Sequence, residues 1–150
     1  RSYNRSIIVK YFEEYANLLY ERFGDRVKYW ITVNEPDHFC DFAYGNNYNA
    51  PGINAHGIGE YECGHNILKA HAVAYHRYRD HYYQRYKGRV GVAFSSYFYY
   101  SDTNDTATVD WAMQFSLGWM AHPIFGSAGG YPPIMITQIA NNSNTEQPER

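Results

Sequence analysis

Apolar residues open the chain at helical spacing. Ile8, Phe12, Tyr15, Leu19 and Phe23 follow one another at steps of four, three, four and four, which draws one face of an amphipathic helix. Asn4 or Ser6 can cap its start, and Gly24 stands where a left-handed residue belongs just past its end. Residues 27–34 (VKYWITVN) are β-branched and aromatic, the composition of a buried strand, and Pro36 ends it. Residues 37–62 show neither period and carry many Gly and Asn. A connection longer than about 15 residues is functional or disordered, and Phe39, Phe42, Tyr44 and Tyr48 argue for an ordered loop. A second helix is predicted over residues 64–86, with Ile67, Ala70, Ala74 and Tyr78 on one face and Gly88 at its end. Residues 89–97 (RVGVAFSSY) read as a second buried strand. A polar turn at residues 101–106 leads to a third helix over residues 108–121, with Trp111, Phe115 and Trp119 in the core and Pro123 as terminator. From Asn141 onward the sequence is polar and is expected to fray.

Strands alternating with helices imply parallel pairing and an α/β architecture with right-handed crossovers. Two strands do not make an independently stable sheet of this kind. The chain begins Arg1-Ser2-Tyr3-Asn4 without an initiator Met, so it is expected to be an internal slice of a larger α/β protein.

Composition narrows the function. Of the 150 residues 45% are hydrophobic, but 17 of them are Tyr, so many rings must lie at the surface. A net charge of −2 removes the electrostatic footprint of a non-specific nucleic-acid binder. No apolar run approaches the roughly 20 residues that span a bilayer. Two cysteines, Cys40 and Cys63, cannot build a Cys-based zinc site. They allow either one bridge or two buried thiols. His65, His71 and His76 share a predicted helix at separations of six and five, which is not the i, i+4 spacing of a zinc-binding helix. No metal and no cofactor is expected. Gly57-x-Gly59 lacks the preceding strand and third glycine of a dinucleotide loop. Asn-x-Ser/Thr acceptors at Asn4, Asn104 and Asn141 tilt toward a secretory route and an extracellular protein.

The stretch with chemistry is Thr32-Val33-Asn34-Glu35-Pro36. An apolar strand ends in an amide and a carboxylate, and a long loop follows. In a (β/α)8 barrel the reacting groups stand at such C-terminal strand ends. A Glu there, backed by Trp30 and loop aromatics, can be desolvated into general-acid range.

TVNEP closely resembles the Thr-x-Asn-Glu-Pro motif of glycoside hydrolase family 1, the β-glucosidase family. FGDRVKYWITVNEP, Ala50-Pro51-Gly52, GHNILKAHAVAYHRYR, RVGVAFS and QFSLGWMAHPIF resemble that family in order, over most of residues 6–135. The wording around YECGHN and GGYPP is most similar to insect-type members. The resemblance implies one partial catalytic domain over residues 1–150, a slice of a (β/α)8 barrel with about two strands and three helices. It implies Glu35 as general acid, then general base, and Asn34 as the partner of the sugar 2-hydroxyl. Neighbouring strand residues point to opposite faces. For both to reach one sugar the strand must end or bulge there. Phe39, Phe42 and Tyr97 could line the entrance for the leaving group. Ser95 stands where the family more often has Asn, and Gly130 replaces the acid of the family's Gly-Asp-Tyr-Pro turn.

The family's nucleophile lies in a Glu-Asn-Gly motif, and no Glu-Asn-Gly occurs in this sequence. The chain alone is therefore expected to be inactive, while the parent is a retaining β-glycosidase acting on small or oligosaccharide β-glycosides. Two alternatives stay open: a thioglucosidase of the myrosinase kind, and a relative without turnover that binds carbohydrate or a receptor. Sugar, leaving group and oligomeric state are not legible in these residues.

Overall fold

Tyr20 is the residue around which the first part of the chain packs. It lies on helix α1 (Ile7–Phe23) and is 2% exposed. Its ring meets Trp30 of strand β1 (Tyr29–Asn34) and Tyr78 of helix α3 (Gly59–His81), each edge-on at 5.0 Å. Burial, with the Tyr78 hydroxyl beside it, pushes the Tyr20 phenol up to about 12. Such edge-on pairs add about 0.5–1.5 kcal/mol each beyond the area they bury. Ala16 and Ala74 line the same seam at 5% and 0% exposure, and their small side chains let α1 and α3 approach. Arg77 Nε on α3 donates to Glu13 Oε1 at 3.0 Å, and the Tyr82 hydroxyl donates to Asn17 Oδ1 at 2.9 Å, fastening the edges of the seam.

The buried face of α1 differs from the one that the large apolar residues predict. Ile8, Tyr15 and Phe23 are 54%, 57% and 42% exposed, and the seam runs through Phe12, Ala16 and Tyr20. Ala16 and Ala74 are both buried in this cluster, where small side chains suit a close helix approach. Gly24 does not adopt the left-handed conformation. Its lack of a side chain serves packing, since a Cβ there would meet Tyr20 O at 2.5 Å and press into the Tyr86 ring.

The computed structural model describes residues 7–146. It divides the chain into two compact units, one ending at Ala93 and the other beginning at Phe94. In the first unit, β1 pairs in parallel with β2 (Arg89–Ala93), and α3 with the short α4 (Tyr83–Tyr86) forms the crossover between them. This is the expected α/β order. Lys87, φ 54°, makes the left-handed turn out of α4. Gly88 N–H then donates to the Tyr78 hydroxyl at 2.9 Å in the interior.

The predicted second strand is longer than the real one. β2 ends at Ala93, where β1 has turned away and no further ladder partner remains. The loop expected over residues 37–62 is partly helical: α2 (Pro36–Cys40) is followed by a π-helical turn (Asp41–Gly45), and α3 begins at Gly59.

In the second unit, Asp105 caps α5 (Thr106–Met113) by accepting the Thr108 N–H at 3.1 Å. The helical run continues through a π-helical stretch (Gln114–Gly118) into α6 (Trp119–Phe125). Pro123 lies inside α6 instead of ending it. Over residues 141–146 helix α7 (Pro133–Glu146) stands where a frayed tail is expected, and Thr145 Oγ1 donates back to Asn142 O at 2.8 Å. Met120 and Met135, each 1% exposed, form the core here with Pro132 and Trp119. Trp111 is not core: it is 39% exposed and donates Nε1–H to Gln138 Oε1 at 2.9 Å. Among the described residues no helix is long and apolar enough to cross a membrane.

Gly24→Ala is expected to lower stability by about 1–3 kcal/mol through overpacking against Tyr20 and Tyr86. Urea denaturation should show the loss as a shifted midpoint with an unchanged slope.

Candidate active site

The strand β1 loses its regular alternation just before it ends. Ile31 pairs with Gly91 and Asn34 with Ala93, so three steps along β1 match two along β2, and β1 carries one extra residue. Glu35 follows with φ 48° and ψ 57°, the left-handed region. A residue other than glycine adopts it at a cost of about 1–2 kcal/mol. Two backbone bonds hold it there. Glu35 N–H donates to Ala93 O at 2.9 Å, and Glu35 C=O accepts the Phe39 N–H at 3.0 Å. Bulge and left-handed turn together free Asn34 and Glu35 from the up-and-down pattern of the strand. Both are exposed at its C-terminal end, with half of the Glu35 side chain accessible.

Trp30 does not back the carboxyl group. It faces the opposite way, into the core under Tyr20. The neighbour of Glu35 is instead His38, whose Nδ1 lies 3.7 Å from Glu35 Oε2, beyond hydrogen-bond reach. His38 arrives there because Pro36 starts a helix. Proline is suited to the first helical position, where its missing N–H has no partner to lose. Pro36 therefore ends the strand and begins α2 at once, and that second role is the sequence signal for His38 at three residues from Glu35.

The aromatics of the loop are ordered. The His38 and Phe42 rings stack at 5.4 Å and 9°, Phe42 meets Tyr48 at 6.0 Å, and Phe39 meets Tyr44 at 6.1 Å. Phe39 of α2 and Phe42 of the helical turn after it are 45% and 37% exposed. Cys40, fully buried, is joined to Cys63 of α3 with its Cα 5.5 Å away. A bridge closing a loop of this size contributes about 3 kcal/mol on the chain-entropy estimate.

Below the strand end, Thr32 ties three elements together. Its hydroxyl donates to Gly91 O at 3.1 Å on β2 and lies 2.7 Å from His71 Nδ1 on α3. The direction of the hydrogen bond between Thr32 and His71 follows the tautomer of the imidazole. Burial, and then the charge of His76, lowers the pKa of His71 from 6.5. The residue is a neutral brace inside the fold, a role that its spacing from His65 and His76 does not reveal.

Asn34, Glu35 and Phe39 thus share one strand-to-helix turn in the first unit. Tyr97 belongs to the second unit, 63% exposed, with its ring 6.4 Å from Tyr99. Ser95 precedes it there. Asn104 is exposed with φ 59° in the turn before α5, and Asn141 is exposed within α7. Asn4 lies outside the described residues. Gly130 has φ 72° and its carbonyl accepts the His122 Nδ1–H at 2.8 Å, which makes Tyr131-Pro132 part of a turn.

The pattern that defines glycosyl hydrolase family 1 matches residues 2–149. The chain belongs to glycosyl hydrolase family 1. Lactase/phlorizin hydrolase of Rattus norvegicus is 44% identical to this family 1 chain over 141 residues, covering 91% of the chain and 7% of the rat protein. Among solved structures, an aphid myrosinase is 38% identical with a TM-score of 0.87 over 95% of the chain. A rice β-glucosidase is 35% identical with a TM-score of 0.83 over 91%. The chain spans 31% of each of those two. Its two parallel strands and their helices are a partial slice of the family 1 barrel.

His71 also predicts a pH dependence. Its pKa is lower in the fold than in the unfolded chain, so the unfolded chain binds more protons between the two values. The stability it contributes is complete above about 6.5 and declines as pH falls below that. Denaturant melts from about pH 7 to about pH 5 should lose stability more steeply for the wild type than for His71→Gln.

Proposed function

We propose that this chain supplies the acid/base half of a retaining β-glycosidase. The observation that carries the reading is the turn at the end of β1, where a left-handed Glu35 follows Asn34 at a bulge and both are exposed. In this reading the Glu35 carboxyl gives its proton to the glycosidic oxygen as the bond to the anomeric carbon breaks. A second carboxylate about 5–5.5 Å away, from outside this chain, attacks that carbon and forms the glycosyl-enzyme. Glu35, now ionised, takes a proton from the water that releases the sugar. Asn34 binds the 2-hydroxyl, a contact that strengthens as positive charge develops on the ring. Phe39 offers a ring to the leaving group.

The likeness to an aphid myrosinase supports a second reading, cleavage of S-glycosides. Paired O- and S-aryl glycosides with the same sugar separate the two, since a thiolate leaves with less help from an acid. Retention of Glu35 speaks against a relative that only binds.

A secretory route is part of the same proposal. Disulfides persist in oxidising compartments, and Asn104 occupies the kind of exposed turn that suits N-glycosylation, unlike Asn141 within a helix.

In the complete enzyme Glu35→Gln is expected to lower kcat/KM for unactivated glycosides by about 10²–10⁴-fold. Dinitrophenyl glycosides, which need little protonation, should lose far less in glycosylation. Azide should convert Glu35→Ala turnover into a β-glycosyl azide. Equal losses for both leaving groups, or no azide product, would remove Glu35 from this role. For the route, Asn104→Gln should lower the mass of the secreted protein by one enzymatically releasable N-glycan; an unchanged glycan content in Asn104→Gln would remove Asn104 as a modified site.

A further inference from the structure

We propose that the Cys40–Cys63 bridge positions Glu35, an inference that rests on Glu35 being the acid/base. The left-handed turn at Glu35 depends on its two backbone bonds, one to β2 and one to α2. The β2 side is anchored in the sheet. The α2 side is a helix of five residues, and helices shorter than about 12 residues do not hold together on their own. What keeps α2 wound must come from its surroundings.

The first two turns of α3 hold α2 at one point and the helical turn that follows it at another. Cys63 is bonded to Cys40, the last residue of α2 and fully buried. Three residues earlier, Glu60 is 5% exposed and its carboxylate lies against Gly45, where a Cβ would come within 3.4 Å of Oε2. Glu60 Oε1 accepts the Gly57 N–H at 2.7 Å, which fixes the carboxylate. Farther along α3, His71 is hydrogen-bonded to Thr32 of β1, three residues before Glu35. The connections form a closed circuit: Glu35 to α2, across the sulfurs to α3, through His71 to Thr32, and along β1 back to Glu35. The bridge is its one covalent cross-link. Opening it leaves α2 held by packing and by the helical turn (Asp41–Gly45) that continues it. The Phe39 N–H then lets go of the Glu35 carbonyl, and the carboxyl group spreads over a wider range of positions.

A displaced acid costs most where protonation is needed most. In the complete enzyme, Cys40→Ala/Cys63→Ala should lose about 10-fold to 100-fold in kcat/KM on unactivated glycosides. On dinitrophenyl glycosides it should lose no more than about 2-fold, which steepens the dependence on leaving-group pKa. Wild-type enzyme reduced by a phosphine, assayed below its melting temperature, should behave alike and recover on reoxidation. That arm carries the test if the double variant fails to fold. Glu35→Gln is measured beside them. If it shows a steep leaving-group dependence while the opened bridge gives equal losses, or none, on both substrates, the positioning role is overturned. If Glu35→Gln is itself flat, the acid/base reading fails instead.

Discussion

One hydrogen bond, from Glu35 N–H to Ala93 O, is the last rung of the parallel ladder, and the geometry of the strand end depends on it. It forms one residue beyond β1 and in a conformation that side chains other than glycine avoid. The bulge between Ile31 and Asn34 delivers the backbone at the right height, and Pro36 commits the next residue to a helix. Together these convert a strand, whose side chains alternate, into a corner that can present an amide and a carboxylate side by side.

The corner is stiff because the scaffold under it is made of rings and small residues. Tyr20, Trp30 and Tyr78 interlock edge to face, and Ala16 against Ala74 sets the distance between the helices. Thr32 and His71 then link that packed layer to the strand just below the bulge. A chain with so many tyrosines places them by what their hydroxyls can reach. The Tyr78 hydroxyl accepts a backbone N–H inside the fold, Tyr82 meets Asn17 at the seam, and others stand in water.

Much of this was legible in the residues. The alternation of helix and strand, the parallel pairing and the strand-end position of Asn34 and Glu35 all follow from composition and spacing. The need for a bulge comes from the family resemblance, which asks Asn34 and Glu35 to reach one sugar although alternation puts neighbours on opposite faces. Other features were hidden for physical reasons. Helical periodicity weights large side chains, so it chose Tyr15 and Phe23 over Ala16, although a close helix–helix approach favours the small residue. In the sequence Pro36 marks a strand end, yet its fixed φ also starts a helix. Trp111 and Trp119 have the same spacing signature, and only packing tells that one is buried and the other half open. The brace between His71 and Thr32 joins residues 39 apart, and no local pattern encodes such a pair.

The sheet has one dressed side and one bare side. Trp30 and Thr32 lie under α1 and α3, whereas Tyr29 and Ile31, 79% and 64% exposed, look out from the other face. Among the described residues the sheet has two strands, so β1 and β2 each keep an edge that no third strand pairs with. Open rims beside greasy side chains are a template on which other strands, including those of sister molecules, can lay themselves down. Biochemists who prepare this stretch in isolation would therefore do well to treat clumping as its intrinsic tendency and to judge its chemistry only when that flank is sheltered.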